Sequence, residues 1–169
     1  MRELVLGGVK SGKSRYAESR AAETADVVYV ATACAGDDAM AERIRRHRDR
    51  RPVHWRTRET DMDLAGVLAG EAAPGRCLLV DCLTLWLTRF LEQPDAWPDA
   101  RTDLLDALPG LPGRVLMVSN DVGGGVIPAD AVSRWFVDEA GRLHQAVAER
   151  CERVALVTAG LPQILKDER

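Results

Sequence analysis

The chain has 169 residues, 46% hydrophobic and 29% charged, with 23 Lys+Arg against 26 Asp+Glu. A chain of this length forms one domain that buries roughly 70% of its unfolded surface, so neither disulfides nor metal are needed to fold it. A net charge of −3 excludes the basic coat of a nucleic-acid or anionic-membrane binder. Arginine dominates the positive charge. The lysines are Lys10, Lys13 and Lys166, and two of them fall in one glycine-rich stretch.

Short apolar runs of strand type recur at 3–6, 27–31, 53–57, 77–80, 115–119 and 154–158. Helical periodicity fills most of the gaps, at 14–25, 38–50, 61–68 and 83–92. A longer helix follows Pro128, with Val132, Phe136, Ala140, Leu143 and Val147 spaced three or four apart. The stretch 93–101, QPDAWPDAR, reads as a surface loop. Alternating strands and helices, with strands apolar on both faces, predict an α/β fold: a mostly parallel sheet with helices on both faces. Ligands then sit at the carboxyl ends of the strands, in the loops after Leu6, Ala31, Val80 and Ser119.

Cys34, Cys77, Cys82 and Cys151 show no C-x-x-C spacing, and no apolar run approaches the ~20 residues of a membrane span. The chain enters a glycine-rich loop at Gly7, too soon for a signal peptide. Reduced thiols and a cytoplasmic location are expected.

Gly7-Gly8-Val9-Lys10-Ser11-Gly12-Lys13-Ser14 fits G-x-x-x-x-G-K-[ST], between a predicted strand and a predicted helix. In such a loop glycines allow a tight turn that aims consecutive N–H groups at phosphate oxygens. The Lys13 ammonium reaches the β- and γ-phosphates, the Ser14 hydroxyl joins a Mg²⁺ shell, and the helix N-terminus adds partial positive charge. The metal needs an acidic partner at the end of a neighbouring apolar strand, and Leu78-Leu79-Val80-Asp81 supplies it.

Arg43 to Arg51 is the one dense charge cluster. Such a run is often only a solvated helix face, but Met40, Ile44 and His47 share one side of it. His47 is thereby aligned with the apolar stripe while arginines suited to gripping phosphate surround it. Like-charge repulsion favours its neutral, nucleophilic form, so a covalent phospho-histidine step is open to it beside a packing role. His54, in a predicted strand, and His144, in the long helix, are weaker candidates.

Several motifs in order resemble one family. They are GGVKSGKS (7–14), YVATA (29–33), RIRRHRDRRPVHWRTRE (43–59), LLVDCLTLW (78–86), VSNDVGGGVIP (118–128), RWFVDEAGRLHQ (134–145) and AGLPQILK (159–166). The family is the bifunctional adenosylcobinamide kinase / adenosylcobinamide-phosphate guanylyltransferase of cobalamin biosynthesis. The resemblance implies a P-loop NTPase (RecA-like) fold and a homotrimer. It also implies that His47 becomes GMP-modified, and that Ala31, Thr32, Ala33, Arg48, Asp49, Arg50, Arg51, Glu59 and Asp81 line the nucleotide site. The substrates would be GTP or ATP with Mg²⁺, adenosylcobinamide and adenosylcobinamide phosphate. The chain departs from the pattern at Asp121, where the family typically has Glu, and at His144, where Asn is frequent; the segment 92–113 is short. Two other readings stand beside this one: a simple P-loop small-molecule kinase whose arginine helix is a lid, and a nucleotide-switched regulatory module.

Overall fold

The computed structural model describes residues 1–33, 42, 45 and 51–168. Among them seven strands form one sheet of order β3-β2-β4-β5-β1-β6-β7: β1 (Arg2–Gly7), β2 (Asp26–Ala31), β3 (Arg56–Glu59), β4 (Arg76–Asp81), β5 (Arg114–Asn120), β6 (Arg153–Thr158) and β7 (Leu161–Asp167). All pairings are parallel except β6 with β7. The helices are α1 (Lys13–Ala21), α2 (Leu64–Glu71), α3 (Leu83–Thr88), α4 (Trp97–Ala107) and α5 (Ala131–Arg150). The mostly parallel α/β sheet anticipated from the strand and helix alternation is present.

Burial on both faces explains the apolar central strands. On one face Leu4, Val30, Leu78, Val80, Val115 and Met117 pack with residues of α2 to α5. On the other, Val5, Val27, Leu79, Leu116 and Val118 meet Ala17 and Ala21 of α1, whose small side chains let the helix lie close. Aspartates start two of the helices: Asp63 Oδ1 accepts from the Gly66 N–H at 2.8 Å, and Asp130 Oδ1 from the Ser133 N–H at 2.8 Å.

Three parts differ from the sequence expectation. The third strand lies at Arg56–Glu59, later than 53–57, and all four of its residues are exposed. It is an edge strand held to β2 by backbone pairing, so hydrophobicity did not mark it. The stretch 93–101 is not a loop throughout: a single 3-10 turn, Pro94–Ala96, leads into α4. Its anchor is Trp97, buried edge-on against Trp86 and Phe90 at centroid distances of 5.1 and 5.2 Å, with its indole N–H donating to Glu139 Oε2 at 2.7 Å. The closing segment forms β7, an exposed edge strand, where Lys166 Nζ donates to the Ala148 carbonyl at the end of α5 at 3.2 Å. The helix expected at 38–50 lies outside the described residues.

A fully buried carboxylate ties α1 to the sheet. Glu3 of β1 is 0% exposed; it accepts from the Tyr16 hydroxyl at 3.1 Å and from Arg20 at 3.2 Å, and pairs with Arg153 of β6 at 3.3 Å. Removing one member of such a network strands the others in a low-dielectric site. Glu3→Ala is expected to cost about 3–5 kcal/mol of unfolding free energy, measured by urea denaturation; an unchanged midpoint would show that Arg20 and Arg153 do not depend on it.

Candidate phosphate-binding site

The loop from Gly7 to Ser14 leaves β1 and enters α1, as the motif requires. Gly7 has no room for a side chain: a Cβ there would lie 2.5 Å from Ser11 Oγ and 2.6 Å from the Val157 carbonyl. Gly12 holds φ at +96°, in the left-handed region open to glycine, and its Cα position faces Gly160, 3.0 Å from where a Cβ would sit. Outside contacts fix the loop's backbone. The Asp121 N–H donates to the Gly7 carbonyl at 3.0 Å, and the Gly160 N–H to the Ser11 carbonyl at 2.7 Å. Lys13 is 6% exposed and its ammonium donates to the Gly8 carbonyl at 3.0 Å, so it is already curled over the loop. Gly8, Val9 and Lys10 are exposed at the tip, while Ser11, Gly12 and Ser14 are half-buried.

Sheet register gathers the other candidates. Ala31 pairs with Glu59 on one side and with Asp81 on the other, so these three residues form a row across β3, β2 and β4 at the carboxyl edge. Asp81 is not on the strand next to β1, as the sequence suggested; β5 lies between them. At strand spacings of 4.7–4.9 Å the axes of β1 and β4 are roughly 10 Å apart.

Asp81 is held from below. The Tyr29 hydroxyl, from β2, donates to Asp81 Oδ2 at 2.5 Å. Tyr29 is 2% exposed; burial, with the Asp81 charge adding to it, pushes its phenol well above the ordinary value, so it stays a donor. The Arg51 guanidinium lies over the Tyr29 ring, 3.2 Å from its centre.

Behind this row the polar side chains are engaged with one another. Thr32, fully buried, uses its hydroxyl twice: it donates to the Cys82 carbonyl and accepts from the Cys82 N–H, both at 2.8 Å. Its side chain therefore locks β2 to β4, with the half-buried Ala31 and Ala33 on either side of it. Asn120 ends β5 in register with Gly7, and its amide donates to Thr84 Oγ1 at 2.9 Å. Burial raises the Cys82 thiol to about 11, which keeps it protonated. On the opposite face Ser119 and His144 Nε2 share a hydrogen bond of 2.7 Å. Burial lowers the His144 pKa, opposed by the nearby Asp121 charge.

The structure thus places Ala31, Glu59 and Asp81 along the same carboxyl edge of the sheet as the phosphate loop, with Arg51 over the Tyr29 ring beside Asp81, while Glu59 stands four strands away from β1. His47, Arg48, Asp49 and Arg50 lie outside the described residues. Sequence reasoning gave no role to Tyr29, Thr84 or Asn120, although each falls within a quoted motif; their partners are distant in sequence. Among the described residues no group of three His, Cys, Asp or Glu side chains gathers around a metal site. The donor set nevertheless fits Mg²⁺, which binds through one or two carboxylates, phosphate oxygens and water: Ser14 offers a hydroxyl and Asp81 a carboxylate.

A family model described as cobinamide kinase / cobinamide phosphate guanyltransferase matches residues 3–165. The bifunctional adenosylcobalamin biosynthesis protein CobP of Pseudomonas aeruginosa is 57% identical, over 99% of each chain. The corresponding protein CobU of Salmonella typhimurium is 36% identical over 94% of this chain and 96% of its own. Among solved structures, an ATPase from the type III secretion system of pathogenic bacteria superposes with a TM-score of 0.59 at 10% identity, covering 99% of this chain and 56% of that one. A protein from Pyrococcus horikoshii OT3 gives 0.58 at 10% identity, with 99% and 87% covered. The likeness to the ATPase supports a P-loop NTPase fold.

A histidine whose pKa is depressed on folding favours the native state above its unfolded pKa, near 6.5, and this contribution is lost as pH falls through the folded value. Unfolding free energy is therefore expected to drop between about pH 7 and pH 5 more steeply in the wild type than in His144→Asn, which keeps a partner for Ser119. Parallel denaturation profiles for the two proteins would contradict this.

Proposed function

We propose that this chain, which belongs to the cobinamide kinase / cobinamide phosphate guanyltransferase family, catalyses both reactions of that name in cobalamin biosynthesis. In the first, ATP or GTP lies on the loop 7–14, and the aminopropanol hydroxyl of adenosylcobinamide attacks the γ-phosphorus. The oxygen–phosphorus bond to the nucleoside diphosphate breaks as the new one forms. Lys13 and the loop N–H groups hold the phosphates in line and offset their charge. Ser14 and Asp81 would hold Mg²⁺, which would supply positive charge to offset the negative charge developing on the phosphates. The arrangement that carries this reading is the lysine already curled over a glycine loop that two outside N–H groups pin in place.

In the second reaction neutral His47 attacks the α-phosphorus of GTP and pyrophosphate leaves. The resulting phosphoramidate passes GMP to the phosphate of adenosylcobinamide phosphate, giving adenosylcobinamide-GDP and releasing the imidazole. An imidazole suits this task because it is uncharged near neutral pH and leaves readily once protonated. Arg48, Asp49, Arg50 and Arg51 surround the nucleotide in this reading, with Ala31, Thr32, Ala33 and Glu59 at its edge. Thr32 contributes by shaping the loop, since its hydroxyl is engaged with Cys82.

The enzyme works in the cytoplasm as a homotrimer. The family resemblance supports the trimer, and Leu161, Ile164 and Leu165 on the edge strand β7 offer apolar surface for a second copy. Among the described residues no helix is long and apolar enough to cross a membrane.

Incubation with GTP radiolabelled at the α-phosphate is expected to leave an acid-labile label on the protein that His47→Ala abolishes; a label that survives the substitution removes His47 from its role. Phosphorylation of adenosylcobinamide by Mg²⁺-ATP is expected to fall about 100-fold or more in Lys13→Ala. A wild-type protein that never phosphorylates adenosylcobinamide would overturn the kinase assignment.

A further inference from the structure

We infer that Tyr29 is a positioning residue for the phosphoryl-transfer site: it fixes the rotation of the Asp81 carboxylate so that one oxygen, Oδ1, is presented toward the metal. The inference rests on the proposed reading of Asp81 as the metal-side carboxylate.

Three observations carry it. The first is the hydrogen bond itself, a 2.5 Å contact from a phenol to Oδ2 alone. A carboxylate at a strand end otherwise turns freely about its last bond and offers either oxygen. The second is the rigidity of the donor. Tyr29 sits on a strand between β3 and β4, 2% exposed, in the buried cluster that also holds Val27, Leu79, Trp55 and Cys82. The third is the Arg51 guanidinium over the ring, 3.2 Å from its centre, which stacks the last arginine of the basic cluster against the group that steers Asp81. The locks made by Thr32 on Cys82 fix the backbone at the same point, so the carboxylate is held by its main chain and by one oxygen.

Groups that orient a metal-binding carboxylate change metal affinity or activity by about 10–100-fold when removed. Tyr29→Phe keeps the ring, its packing and the Arg51 contact while deleting the hydroxyl. Mn²⁺ serves as the probe, with free ion read by electron paramagnetic resonance during titration of the protein–ADP complex. Tyr29→Phe is expected to weaken Mn²⁺ binding about tenfold and to lower kcat for adenosylcobinamide phosphorylation by a similar factor. Its metal-free affinity for ADP should stay within about twofold, because no phosphate contact is altered. In an Asp81→Asn background the same change should have no further effect.

The outcomes separate the two layers. If Asp81→Asn binds Mn²⁺ like the wild type, the reading of Asp81 fails. If Asp81→Asn loses Mn²⁺ while Tyr29→Phe matches the wild type in both Mn²⁺ affinity and kcat, the role of Tyr29 fails. A folding defect is bypassed by replacing both tyrosines, Tyr16 and Tyr29, with 3-fluorotyrosine. The fluorine resonance of Tyr29, identified by its persistence in Tyr16→Phe, should move when Mg²⁺ joins the ADP complex and stay still in Asp81→Asn. A resonance indifferent to Mg²⁺ in the otherwise wild-type protein overturns the inference.

Discussion

Two main-chain hydrogen bonds give the phosphate loop its shape before any ligand arrives. They run from Asp121 to the Gly7 carbonyl and from Gly160 to the Ser11 carbonyl, and they come from the ends of two different strands. A loop of glycines left to itself would sample many conformations, and ordering it around a triphosphate would cost about 1–2 kcal/mol per residue. With the Gly7 and Ser11 carbonyls engaged from outside and the Gly8 carbonyl taken by Ser11 and Lys13 within the loop, the turn is set by its own main chain. Gly7 and Gly12 then follow as necessities: at one a side chain would strike Ser11 and Val157, and at the other φ is +96°. Lys13 folds back onto Gly8 because that carbonyl lies within its reach.

How the sheet is ordered determines what this loop faces. With β5 inserted between β1 and β4, the acidic residue stands across a gap from the lysine instead of beside it. The tip of β5 forms the floor of that gap, where Asn120 is tied to Thr84 and, more weakly, to the Cys82 sulfur. A protonated thiol and a neutral amide form a floor without net charge, so the nearest charges are those of Lys13 on one side and of Asp81 and Asp121 on the others.

Much of this was legible in the sequence, and the parts that were not share a physical reason. The central strands announce themselves because burial on two faces demands continuous apolar runs, as in Leu78 to Val80. Edge strands carry no such demand: β3 is written RTRE and β7 LPQILKD, and both are held by backbone pairing that leaves little trace in composition. The helix α4 was hidden by turn-forming residues around a single decisive tryptophan, whose burial depends on Trp86, Phe90 and Glu139 elsewhere in the chain. In the site, Gly7 to Ser14 is recognisable because contiguous residues do the work. The pairing of Tyr29 with Asp81 spans 52 positions, and only the register of β2 on β4 brings the two together.

The turn into β7 deserves a mechanical reading. β6 runs toward the phosphate loop, Ala159 and Gly160 reverse the chain at φ of 52° and 80°, and β7 runs back along the outer edge of the sheet. One peptide N–H in that reversal holds the Ser11 carbonyl at 2.7 Å. A load applied to the outermost strand, by a neighbouring chain or by a pulling force, therefore reaches the phosphate loop through that peptide unit as well as through the pairing with β6. An exposed edge strand is thereby mechanically in series with the phosphate loop.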